Sequence, residues 1–212
     1  MTALKQVAAV IFGAILGAGN AMAVEEAQYT VVLEEQNFEV RNYEPHVVAE
    51  TLVNGDFDKA GSKAFSRLFD YISGNNTSSQ KIAMTAPVAQ EAESEKIDMT
   101  SPVGQQQVNG KWAVSFMMPA GYSLDTLPVP KDPEVTLRQV PARPMAAVRY
   151  SGFWSEKAYA SNKADLDAWI AKNAFRAVGE PIWARYNPPF MPWFLRRNEV
   201  LIPIEMPLNN QN

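Results

Sequence analysis

Residues 38–76 read FEVRNYEPHVVAETLVNGDFDKAGSKAFSRLFDYISGNN, and a change of period inside this stretch decides the fold. Phe38–Tyr43 and Val47–Val53 mix β-branched and aromatic residues on either side of Glu44-Pro45, which reads as two short strands. Tyr29–Leu33, just upstream, has the same character. Asn54-Gly55-Asp56 supplies a turn and an N-cap candidate. From Phe57 to Ser73 the apolar spacing becomes helical. Phe57, Ala60, Ala64, Phe65, Leu68, Phe69 and Ile72 form one stripe, with Lys59, Lys63, Arg67 and Asp70 elsewhere. Gly74-Asn75-Asn76 ends the helix.

The second half repeats this order. Val135–Val140 and Met145–Tyr150 read as strands, and Ser155–Asn173 as a helix with Ala158, Leu166, Trp169 and Ile170 on or near its inner face. Pro181–Tyr186 and Glu199–Ile204 close with strands. Between the halves, KIAMTAPV (81–88) is echoed by KIDMTSPV (96–103), each copy ending or bulging a strand at its proline. Trp112–Met118 follows as a buried strand. Strands, helix, strands, twice over, predict an α+β architecture: two helices over an antiparallel sheet or barrel with approximate two-fold internal symmetry.

The composition excludes whole classes of chemistry. The chain has 212 residues, no cysteine and one histidine, His46. That rules out disulfides, thiolate-bound zinc, iron–sulfur clusters and any multi-histidine metal site. A net charge of −4 argues against nucleic acid as a partner. Residues 1–23 read as a cleaved signal peptide, with Lys5 ahead of the apolar run Val7–Leu16 and Ala21-Met22-Ala23 at the cleavage site. The run is too short to span a bilayer, and no later stretch could. A secreted or periplasmic monomer occupying 24–212, with no membrane span after cleavage, is expected.

Several segments, in order, resemble the SOUL/haem-binding protein family: FEVRNYEPHVVAET (38–51), DYISG (70–74), KIAMTAPV (81–88), VSFMMP (114–119), VRYSGFWSE (149–156) and YNPPFMPWFLRRNEV (186–200). The resemblance, to a bacterial exported member, implies a distorted antiparallel β-barrel flanked by two helices and built from two related halves. The same barrel is similar to the effector-binding domains of certain bacterial regulators. It also implies non-covalent haem or tetrapyrrole binding without catalysis, in a groove between the first helix and the loop before the last strand.

Here those positions carry Phe65, Leu68, Phe69 and Ile72 on the helix, and Pro189, Phe190, Met191, Trp193 and Phe194 on the loop. A helical Phe/Leu/Phe/Ile stripe also suits a core, and the loop aromatics suit a lid as well as a binding lip. The family's propionate-pairing lysines match Asp70 and Met191, so Arg67, Lys63, Arg196 and Arg197 are the substitutes. Arg196-Arg197 could equally tie the loop down. The axial histidine of one branch matches Asn42, a poor iron ligand; His46 is the metal-ligand candidate, and Met84 and Met99 are weaker ones. Two alternatives stay open: a binder of another apolar small molecule, and a hydrolase working through Glu44, Glu50 or Asp70. Thr85 and Thr100 read as structural, since no general base is near in sequence.

Overall fold

The computed structural model describes residues 24–79 and 94–206. The first repeat copy, with Met84 and Thr85, and the expected signal peptide lie outside the described residues. The strands are β1 (Tyr29–Glu35), β2 (Phe38–Tyr43) and β3 (His46–Val53), followed by helix α1 (Phe57–Ile72) and the short β4 (Asn76–Thr77). Then come β5 (Val103–Val108), β6 (Lys111–Met117), the short β7 (Val129–Pro130), β8 (Val135–Val140) and β9 (Arg143–Tyr150). Helix α2 (Glu156–Lys172), β10 (Arg176–Ala177), β11 (Ile182–Arg185) and β12 (Asn198–Glu205) complete the chain.

One large antiparallel sheet runs in the order β1-β2-β9-β12-β11-β5-β6-β3-β8, with β10 added to β12. β4 and β7 form a separate small ladder. The order shows two units, β2-β3-α1-β5-β6 and β8-β9-α2-β11-β12, joined at β5–β11. Each unit lends its first strand to the other: β2 pairs with β9, and β8 with β3.

The expected barrel is not there, because the sheet is open. Its edges, β1 and β8, pair only with β2 and β3. The chain crosses the gap twice, at Glu44-Pro45 between β2 and β3 and at Pro141-Ala142 between β8 and β9. Each crossing contains a proline, which has no N–H to offer a ladder. Strands that adjoin in sequence therefore end on opposite sides of a seam. The result is a strongly curled sheet rather than a closed cylinder.

Both helices lie on one face of this sheet. Ala64, Leu68, Tyr71 and Ile72 of α1 pack on Val47, Ala49, Val114 and Phe116. Leu166, Trp169 and Ile170 of α2 pack on Val40, Val148, Val200 and Ile202. Ser155 caps α2 by accepting from the Ala158 N–H at 3.2 Å, whereas Asp56 at the start of α1 makes no side-chain cap. The other face is concave and carries a smaller core of Tyr43, Met145, Ala147, Ala184 and Leu201. Residues 24–28 cross it as a strap. The Ser101 N–H donates to Glu25 O at 2.9 Å and the Glu44 N–H to Gln28 O at 2.9 Å.

Candidate functional site

Strand registers bring the helix and loop candidates to one end of the sheet. Arg185 lies opposite Val103, and Val103 opposite Phe116. Phe65 meets Phe116 edge-on at 5.2 Å. The loop 186–197 leaves β11 immediately after Arg185, so it starts at the end where α1 presents Phe65. Arg67 marks the opposite flank of α1. It donates to Thr51 Oγ1 at 2.7 Å and pairs with Asp132 at 3.1 Å and with Glu134, beside the β8 edge. Residues 65 and 69 sit on the other flank by helical spacing and so face the middle of the sheet. At the N-terminal end of α1, Phe57 stacks on Trp183 at 4.5 Å and on Tyr159 at 5.5 Å, so aromatic rings from α1, β11 and α2 meet between the helices.

The stripe divides by burial. Leu68 and Ile72 are core side chains, closed off from any ligand. Phe65 is half-buried, and Phe69, 45 % exposed, stacks on it at 5.9 Å. On the loop, Phe190 (85 %), Trp193, Phe194 and Leu195 are exposed. Trp193 stacks on Phe153 at 5.3 Å and meets Phe194 edge-on at 5.5 Å, extending the aromatic surface into the β9–α2 connection. Pro189 is exposed and Met191 half-buried.

Both loop arginines are already engaged. Arg196 donates to the carbonyls of Met191 at 2.8 Å and Pro189 at 2.7 Å, and lies 4.5 Å over the Trp154 ring. Arg197 donates to Glu199 at 2.9 Å and Glu26 at 2.9 Å, and lies 3.7 Å over the Tyr186 ring. With Arg67 on its acids, every arginine expected at the propionates already has protein partners. Arg196 and Arg197 hold the loop and its exposed rings in place.

Arg197 belongs to a buried cluster that sequence reading did not find. Arg41 donates to Glu199 through both terminal nitrogens, at 2.6 and 3.0 Å, and to Tyr43 at 3.1 Å. Tyr186 donates to Glu199 at 2.8 Å. Burial alone would raise the Glu199 carboxyl; the hydrogen bond and charge of Arg41, backed by Arg197, overcome it and hold the group below its usual value. Burial also pushes the Tyr43 phenol up to about 12. Arg41, Tyr43, Tyr186, Arg197 and Glu199 come from the two segments 38–51 and 186–200, so much of what those motifs specify is one buried ion network on the concave face.

His46 lies on that concave face too. Its neighbours Val47 and Ala49 alternate toward α1, so the imidazole points away from the helix and lines two adjoining cavities. Its Nδ1 sits 3.0 Å from Glu44 O. Burial, opposed by that hydrogen bond and helped by Arg143 and Arg138, lowers its pKa and keeps it neutral at pH 7. The imidazole and the Phe65–Phe69 pair are thus on opposite sides of the sheet. Asn42 is exposed, as are Asp70 and Met99. Thr100 is buried, its hydroxyl bonded to Met117 O. The possible bases Glu44 and Glu50 do not converge: Glu44 is exposed, and Glu50 pairs with Arg138 at 2.7 Å. Among the described residues no group of three or more His, Asp or Glu side chains could hold a metal, and no helix is long and apolar enough to cross a membrane.

Solved structures share the fold at low identity. The C-terminal domain of EcmrR matches with a TM-score of 0.51 at 10 % identity, over 84 % of this chain and 98 % of that one. A hydrolase from Listeria innocua matches with a TM-score of 0.53 at 12 % identity, over 82 % and 94 %. In sequence, heme-binding protein 1 of Xenopus tropicalis is 29 % identical over 164 residues, covering 77 % of this chain and 81 % of that protein. The family model described as SOUL heme-binding protein matches residues 24–203. With nearly all of the described fold inside that match, the chain belongs to the SOUL heme-binding protein family.

Proposed function

We propose that this protein is an exported, non-catalytic haem or tetrapyrrole binder, a monomeric buffer or carrier. It holds its ligand by apolar contact where Phe65 and Phe69 of α1 and the loop 186–197 share one end of the sheet. The observation that carries this reading is the loop. Phe190, Trp193, Phe194 and Leu195 are exposed while Arg196 and Arg197 pin the backbone beneath them. Exposed rings on a fixed loop offer a flat apolar ligand a preformed surface, at little ordering cost. Family membership supplies the ligand class.

The residues fit the apolar faces of such a ligand, through Phe69, Phe190, Trp193 and Phe194. They fit its carboxylates less well, since Arg67, Arg196 and Arg197 are engaged. Affinity should therefore depend little on ionic strength. With His46 on the other side of the sheet, iron is not ligated by it. Haem titration of residues 24–212, followed at the Soret band, tests this. A saturable shift is expected, weakened about tenfold or more by Trp193→Ala or Phe69→Asp and unaltered by His46→Ala. No saturable shift, or one indifferent to the first two changes, overturns it. Export is checked by N-terminal sequencing of the protein from the extracytoplasmic fraction of its host, which should begin at Val24.

A further inference from the structure

The seam that keeps the sheet open also forms an open pocket, and its lining is chemically asymmetric. A pocket of about 80 Å³ lies between the two ends of the curled sheet. Tyr43, Arg143 and Met145 line it from β2 and β9; His46, Val48 and Met117 line it from β3 and β6. The strap residue Ala27, with His46 and Met117, also borders an outer cleft of about 310 Å³. The inner walls are otherwise mostly apolar. Arg143 is the charged group in that lining. Among the described residues it has no carboxylate within ion-pair distance, and its charged neighbour is Arg138, itself paired with Glu50. A half-buried guanidinium without a counter-charge is costly, and burial, reinforced by Arg138, lowers its pKa.

Acids line the outer cleft instead: Glu25, Glu26 and Glu44. Two of these are in use, Glu25 accepting from the Ala120 N–H at 2.6 Å and Glu26 pairing with Arg197. An anion is thus repelled at the mouth and attracted inside, while a cation meets the reverse. The inner volume excludes a macrocycle and suits a few apolar atoms beside one charged group.

We infer that this seam pocket is a second binding site, separate from the α1–loop surface, for a small organic monocarboxylate whose charge pairs with Arg143 and whose apolar body lies against Met117, Met145 and Leu201. His46 lines the same pocket, its ring held by Nδ1 against Glu44 O at 3.0 Å. A guanidinium–carboxylate pair supplies the orientation and the apolar wall the complementarity.

Butyrate, whose three apolar carbons suit that volume, is the probe, added to protein carrying ¹³C-methyl methionine and followed by NMR. The Met117 and Met145 methyl signals should shift saturably and Met191 should not move. Butyramide, of the same shape without the charge, should bind at least tenfold more weakly, as should butylamine. Arg143→Met should lower butyrate affinity tenfold or more, and Arg143→Lys, which keeps the charge, should restore part of it. The Lys variant keeps the test decisive if the Met variant does not fold. Saturation confined to other methyl groups, equal binding of butyramide, or butyrate affinity unchanged in a folded Arg143 variant overturns the inference.

Discussion

Replacing Glu199 by glutamine keeps the side chain's size and removes the charge that Arg41 and Arg197 share. The Arg41 and Glu199 side chains are 2 % and 0 % exposed, so water cannot compensate either group. Arg41 would retain Glu39, at 2.6 Å and 22 % exposed, as its remaining acid. Removing one partner of such a pair typically costs ~3–5 kcal/mol, because the other charge is left buried. For a chain of this size that is a fall in Tm of roughly 6–20 °C. Urea unfolding followed by tryptophan fluorescence reads the difference. The double variant Arg41→Met/Glu199→Leu should be clearly more stable than either single one, since it removes the stranded charge along with its partner. A loss below about 1 kcal/mol for Glu199→Gln, the range of an exposed pair, or strict additivity in the double variant, refutes the claim that this network is buried and coupled.

Three further outcomes follow from the same geometry. Leu68→Ala should cost about 3 kcal/mol, and Phe69→Ala well under half of that, because the first side chain is fully buried and the second is 45 % exposed; equal losses in chemical denaturation would contradict the division of the α1 stripe. Arg196→Met should loosen the loop by removing two bonds to its carbonyls, seen as faster amide exchange and easier proteolysis within 187–196 while β12 stays protected. His46 has a folded pKa below its ordinary 6.5, so below that pH the folded state binds fewer protons than the unfolded chain, and stability declines as pH falls from about 6.5 toward the folded value. His46→Gln should flatten that part of the stability–pH curve, and an unchanged slope would show that burial, with Arg143 and Arg138, does not hold the ring's pKa down.

The elements with a clear period were legible. Phe38–Tyr43 and Val135–Val140 match β2 and β8 residue for residue, and the second helix differs only at its caps, Ser155 and Asn173. β5 was not legible. Its sequence VGQQQV has no alternation and carries branched side chains only at its two ends, yet it joins the two halves. Gln105 is buried there because its amide donates to Phe57 O at 2.9 Å, a partner 48 residues away. Closure failed for a related reason: both prolines at the seam were visible, but which strands they separate depends on a pairing order that no local pattern encodes. At the site, the exposed loop rings could be expected from their density in a proline-rich loop. The internal use of Arg196 and Arg197 could not be decided from residue type, since a carbonyl or carboxylate of the protein attracts a guanidinium as a ligand's does. His46 went to the concave face through strand alternation, which Pro45 had obscured in the sequence.

The most direct test of the account is where a haem sits. Protein with ¹³C-methyl methionine is titrated with ferric haem, whose unpaired electrons broaden nearby methyl signals. Met191 lies in the aromatic loop, and Met117 and Met145 line the seam pocket. Met191 should broaden in step with the Soret change while Met117 and Met145 stay sharp. Broadening of Met117 and Met145 with Met191 untouched would place the ligand on the concave face and contradict it.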